Sequence, residues 1–215
     1  MYEMKNARQL LTYSRLFFKG SLKSANKTFS TAYGTALQLR KQRRIDNAER
    51  SDDMIGRLRE QYDRKGSMHL LHSCNPQQRA GNCSEYVDIA IKHGIKMNIP
   101  NIWLADHDLH VFLVLAETPR LTNSTLNDFR QYEDRGFWVC DPWFNIHCKI
   151  QFYGSMVISK STQWENEGKE IYDGDSVISA PATQWSHRLF HNKIQFIQMT
   201  DNNGKPTYGY ELRFQ

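Results

Sequence analysis

The 215-residue sequence predicts an α+β chain, helical at its start and sheet-forming in its second half. Three observations carry that reading. Residues 1–66 hold few β-branched residues and read as helix. One apolar helix follows at 83–93. After Pro100 the pattern changes to short, bulky segments bounded by polar turns, the signature of strands. Hydrophobic residues make up 40% and aromatics 12%, with five Trp, so a packed core is expected and wholesale disorder is excluded. The longest apolar run, residues 111–116, is far short of the roughly 20 residues that span a bilayer. The chain opens without a Sec-type signal pattern.

In order along the chain, Leu10, Leu11, Tyr13, Leu16, Phe17 and Phe18 give a first helix an apolar face rimmed by basic residues. A second helical stretch is expected over about 32–61, with Ser51-Asp52-Asp53 as an N-cap dividing it in two. A boundary at Lys65-Gly66-Ser67 separates a basic N-terminal extension, 1–65, from a second domain, 66–215. Residues 75–82 form a polar loop of turn residues. The helix from Cys83 to His93 ends at Gly94, read as its C′ glycine. Strands are then expected at 101–105, 110–116, 136–140, 150–158, 176–179, 193–199 and 208–214. The polar stretch Glu117–Arg135 reads as an enlarged hairpin loop. Trp164, Trp185, Tyr153, Phe190 and Phe196 read as sheet core.

The net charge of +5 is uneven: residues 1–44 hold ten Lys/Arg against the single acid Glu3, leaving the remainder at −4. Such an arm suits an anionic membrane surface, an acidic partner or simply a solvated helix face. No recognition motif or aromatic platform accompanies it, so nucleic acid is not the expected partner. The four cysteines, 74, 83, 140 and 148, lack the spacing of a zinc site or a disulfide framework. Cys74, Cys140 and Cys148 read as buried small hydrophobes. His187 and His191 have no third ligand beside them and read as ordinary surface or core histidines.

Cys83 differs. It follows a Gly81-Asn82 turn at the first position of a helix, where unpaired backbone N–H groups and the helix dipole favour an anionic sulfur. His110 opens the most apolar strand, with His107 as the rival imidazole. Asp141 ends the next strand before Pro142, where its carboxylate can orient an imidazole; alone it would read as an Asp-Pro turn former.

Together, Gly81-Asn82-Cys83-Ser84-Glu85, His110-Val111-Phe112-Leu113-Val114 and Trp138-Val139-Cys140-Asp141-Pro142-Trp143 resemble the Cys–His–Asp thiol superfamily of papain-like and transglutaminase-like enzymes. The resemblance covers about residues 72–145. It implies a nucleophile-bearing helix packed on an antiparallel sheet, with the N-terminal helices as an extension. It also implies an oxyanion-binding glutamine at Gln77, six residues before Cys83, with Gln78 as the alternative, and a Trp two residues after the third catalytic group, here Trp143. The Gly-Asn-Cys-x-Glu phrase is most similar to the bacterial toxin and effector branch, such as the C-terminal thiol domain of the Pasteurella mitogenic toxin. The interval from His110 to Asp141, 31 positions, is longer than that branch usually has.

What the resemblance implies is a hydrolase with a Cys83–His110–Asp141 triad, no cofactor and no metal, acting on a host protein as a glutamine deamidase. The alternatives are a cysteine protease or a transglutaminase. It further implies virulence-type delivery without a Sec signal and action in the host cytoplasm, the chain otherwise being cytoplasmic. A non-enzymatic adaptor, docking through the basic helices, is the contrasting reading.

Overall fold

The computed structural model describes residues 2–22, 24, 26–29, 35–116, 124–132, 136–172 and 179–215. The chain is α+β. It runs α1 (Tyr2–Phe17), β1 (Lys27–Phe29), α2 (Thr35–Arg59), α3 (Arg64–Ser73), α4 (Cys83–Lys96), β2 (Ile102–His107), β3 (His110–Leu115), β4 (Trp138–Asp141), β5 (Ile146–Lys149), α5 (Tyr153–Asn166), β6 (Lys169–Tyr172), β7 (Ser179–Pro181), α6 (Ala182–Arg188), β8 (Gln195–Gln198) and α7 (Tyr208–Phe214). The main sheet is antiparallel throughout, in the order β5-β4-β3-β2-β8, and a smaller sheet joins β1-β6-β7. All six residues of the central strand β3 are buried, which explains its unbroken apolar run: a strand covered on both faces has no polar alternation.

α1 and α4 pack on each other and over the sheet. Leu10 and Ala7 are fully buried in the same core as β2–β4. The Ser14 hydroxyl donates to the Tyr86 carbonyl at 2.7 Å, and Tyr13 stacks on His93 at 3.7 Å. Leu16, expected on the apolar face, is instead 58% exposed. Residues 1–65 and 66–215 thus share one core, and Lys65-Gly66-Ser67 lies in the first turn of α3, whose N-cap Asp63 accepts the Gly66 N–H at 2.6 Å.

Several expectations are corrected. Ser51 caps nothing: α2 is continuous through it. Its buried hydroxyl reaches back one turn to the Asn47 carbonyl at 2.5 Å and to the Leu22 carbonyl at 3.2 Å, so it is satisfied inside a helix. Gly94 is not a C′ residue, because α4 continues to Lys96. A Cβ at 94 would stand 2.3 Å from Ile102 Cδ1, so this glycine lets the helix approach β2. Residues 153–158 are helix, not strand; Tyr153, Val157, Ser161 and Trp164 line the buried face of α5, a helical spacing that outweighs the β-branched content. Residues 208–214 are helix as well, N-capped at Thr207 and tied in by buried Phe214. Tyr153, Trp164 and Trp185 are buried but stand on α5 and α6 rather than on the sheet. Cys140 is buried, while Cys74 and Cys148 are only partly so.

Strand β5 goes unread in the sequence. Within the expected loop Glu117–Arg135, the described part bears a 3-10 turn over Leu126–Tyr132, and 117–123 and 133–135 lie outside the described residues. The strand expected at 176–179 falls outside them up to 178. So do the side chains of Leu37 and Leu39. Among the described residues no helix is long and apolar enough to cross a membrane.

Candidate active site

α4 starts abruptly because Asn82 and Glu85 close a capping box, with the Asn82 N–H donating to Glu85 Oε2 at 2.8 Å. Such a box satisfies orphan donors of the first turn. Gly81 precedes it in a tight place, where a Cβ would meet Phe18 Cζ at 2.8 Å. Cys83 is the first helical residue, where backbone N–H groups lack intrahelical partners. It is partly exposed and lines a cleft of about 620 Å³ with Asn26, Asn82 and Glu85, the α2–α3 corner, and the Asp108-Leu109 turn.

His110 stands behind it. β2 and β3 form a hairpin with a two-residue turn, His107 paired opposite His110. His110 Nε2 donates to Asp141 Oδ2 at 2.8 Å, and both side chains are almost wholly buried. The ring lies among Trp143 and Phe144, each 5.3 Å away, and Phe112 and Trp185, each 6.1 Å away. With Nε2 committed to Asp141, Nδ1 is the atom left for Cys83. Nδ1 has no hydrogen bond of ordinary geometry, yet Cys83 is close enough to act on the ring; such contacts are often loose before substrate binds. Burial alone would lower the imidazole, but the Asp141 carboxylate and then Cys83 raise it to about 9.

Asp141 is held on every side. Oδ1 accepts the N–H groups of Trp143 and Phe144, both at 3.0 Å. Oδ2 accepts, besides His110, the Tyr153 hydroxyl at 2.7 Å. Burial would raise its acid, yet the His110 charge and these bonds leave it below the usual carboxylate range.

His110 and Asp141 are therefore bonded to each other, with Cys83 near enough to raise the imidazole. Gln77 and Gln78 are not joined to them: both are exposed on a 3-10 turn over Pro76–Gln78, outside the lining of the Cys83 cleft. His107 turns to its own hairpin, its Nδ1 accepting the Leu109 N–H at 3.1 Å, and burial first, then His110, lowers its imidazole. Of the other thiols, burial pushes Cys148 up to about 12 and Cys140 well above its ordinary value, and Cys74 donates to the Leu71 carbonyl at 3.3 Å.

Three groups around the triad escape the sequence reading. Tyr153 lies in a segment read as strand, though its spacing to Val157, Ser161 and Trp164 carries the helix signal. Ser24 accepts the Trp143 Nε1–H at 3.0 Å and donates to Asn82 Oδ1 at 2.9 Å, bracing the residue before Cys83. Asn26 lines the cleft beside it. Neither of the last two has a local signal. Among the described residues no three His, Cys, Asp or Glu side chains cluster as metal ligands. Comparison of the chain with protein-family models, curated proteins and solved structures returns no match.

Proposed function

We propose that the protein is a cysteine-dependent amidohydrolase acting on a protein carboxamide, a glutamine side chain being the first substrate class. The observation that carries this reading is the buried His110 ring, fixed by Asp141 through Nε2, with Nδ1 unpartnered and Cys83, which lines a cleft, near enough to raise the imidazole. Asp141 sets the tautomer that keeps Nδ1 basic, the orienting role a carboxylate plays in such triads. Cys83 Sγ attacks the carboxamide carbon as a thiolate, the proton of the Cys83–His110 pair residing on the imidazole. The resulting oxyanion meets the free N–H groups of the α4 N-terminus. His110 then protonates the leaving nitrogen, ammonia departs, and a thioester remains. Water, deprotonated by His110, hydrolyses the thioester to a carboxylic acid and restores the thiol.

Choosing glutamine over a backbone amide rests on the likeness of Gly81-Asn82-Cys83-Ser84-Glu85 to the effector branch. The deciding experiment compares wild type with Cys83→Ala on a cytosolic protein extract. A Cys83-dependent gain of about 1 Da on a tryptic glutamine peptide is the expected result. New Cys83-dependent chain termini would make it a protease instead. Neither change, with Cys83 alkylated by iodoacetamide no faster than a model thiol, would overturn the enzymatic reading in favour of an adaptor.

A further inference from the structure

The residue before β1 brings a carboxamide to the nucleophile's cleft. Asn26 lines that cleft together with Asn82 and Cys83, and its backbone carbonyl accepts the Tyr172 N–H at 2.9 Å, which ties it to β6. Its side chain meets the Ser24 hydroxyl. Three groups thus surround one oxygen: the Trp143 indole N–H at 3.0 Å, the Asn82 carboxamide at 2.9 Å and the Asn26 carboxamide. Ser24 is buried, so these contacts have to satisfy one another.

A hydroxyl gives one proton and accepts at two lone pairs. Asn82 takes the proton. Its oxygen is fixed, since in the capping box it also accepts the Glu85 backbone N–H, and an NH₂ turned there would oppose that donor. The Trp143 indole fills one lone pair of Ser24. What remains for Asn26 is the second lone pair, which calls for a donor, so Nδ2 faces Ser24 and Oδ1 is turned away. Among the described residues that oxygen has no partner. We infer that Asn26 Oδ1 accepts an N–H of the substrate carboxamide and thereby selects an amide over an ester. This rests on the amidohydrolase reading of Cys83. With the substrate oxygen drawn to the N–H groups of α4, its NH₂ points elsewhere and carries two donors. Holding one of them orients the nitrogen for the proton it takes from His110 as the C–N bond breaks and ammonia leaves. An ester oxygen in that place has only lone pairs and would oppose Oδ1, leaving a polar group unpaired.

The test uses the full chain and a peptide bearing the glutamine identified in the extract comparison, beside the same peptide with glutamate γ-methyl ester at that position. Formation of the common acid product is followed by mass for wild type, Asn26→Ala, the near-isosteric Asn26→Leu and Asn26→Asp. The quantity read is the amide-to-ester ratio of kcat/KM, in which changes in Cys83 reactivity or in the folded fraction cancel. Asn26→Ala and Asn26→Leu are expected to lower the ratio roughly three- to tenfold, the loss of one hydrogen bond, while Asn26→Asp, which keeps an acceptor, stays within about twofold of wild type. A wild-type ratio in Asn26→Ala or Asn26→Leu, or an equal fall in Asn26→Asp, overturns the inference and leaves the amidohydrolase reading standing. An extract in which no glutamine is modified, or a Cys83→Ala variant as active as wild type, overturns both.

Discussion

Replacing Asp141 by Asn should reverse the pH dependence of stability that the buried His110 imposes. In the folded protein His110 holds its proton up to about pH 9, against 6.5 for an ordinary imidazole. The folded state thus binds that proton more tightly than the unfolded chain. The stabilisation is complete below pH 6.5 and is lost as pH rises through about 9. That interval corresponds to roughly 3 kcal/mol, at about 1.4 kcal/mol per pH unit for one proton. In Asp141→Asn the carboxylate charge is gone and burial, the largest single influence on the ring, is opposed by Cys83 alone, so the imidazole falls. Stability should then rise with pH up to about 6.5 and stay flat above it. Turned one way the amide sets its NH₂ against two backbone N–H donors; turned the other it forces His110 to present Nε2 as an acceptor and costs the bond donated by Tyr153. A loss of about 3–5 kcal/mol at neutral pH is expected from breaking the buried pair. Tyr153→Phe is the control: it removes one buried donor to a charged acceptor, about 1.5–3 kcal/mol, but keeps the carboxylate and therefore the wild-type slope. Urea unfolding at several pH values between 6 and 9.5 measures all three proteins. An Asp141→Asn slope equal to that of wild type would refute the assignment of the proton to this pair.

Other variants test the frame around the site. Gly94→Ala should destabilise by about 1–3 kcal/mol through overpacking, since its Cβ would overlap Ile102 Cδ1 and press on Leu10. Ile102→Val removes the overlapped carbon, so the double variant should recover much of that loss in urea unfolding. Asp88→Ala should cost about 3–5 kcal/mol, because fully buried Asp88 on α4 accepts from Arg64 at 2.8 Å and Arg213 at 2.5 Å; a calorimetric Tm within 2–3 °C of wild type, about 1 kcal/mol or less, would contradict it. Trp143→Phe deletes the indole bond to Ser24, and should reduce stability by about 1 kcal/mol while slowing alkylation of Cys83 by iodoacetamide.

What the sequence made legible was local. The Gly81-Asn82 turn before Cys83 announces α4, and the apolar run from Val111 announces the central strand, because both signals are short-range consequences of backbone satisfaction and burial. The papain-like identity of that core is a resemblance, whereas the α+β arrangement is a property of the fold. The strand readings at 150–158 and 208–214 went wrong where β-branched or aromatic density was weighed above spacing; in both, tertiary burial of one helical face decides. Gly94 misled because glycine marks helix ends and close packing alike. Least legible were contacts between distant segments. The clamp of Arg64 and Arg213 on Asp88, and the reach of Ser24 to Trp143, join residues 24 to 125 positions apart, and no local pattern encodes them.

The placement of α1 also bears on how the molecule is made. This basic helix is synthesised before the surfaces that bury it, α4 and strands β3–β5, which leave the ribosome only after residue 149 has been added. At ordinary elongation rates that delay is roughly ten seconds. During it Leu10 and Ala7 have no core to enter, and the cationic face is open to ribosomal RNA, chaperones or lipid. Folding then withdraws the apolar side against α4 and the sheet, while Arg15 reaches the Pro142 carbonyl, encoded much later. The nascent chain and the finished protein therefore offer different electrostatic surfaces from the same residues.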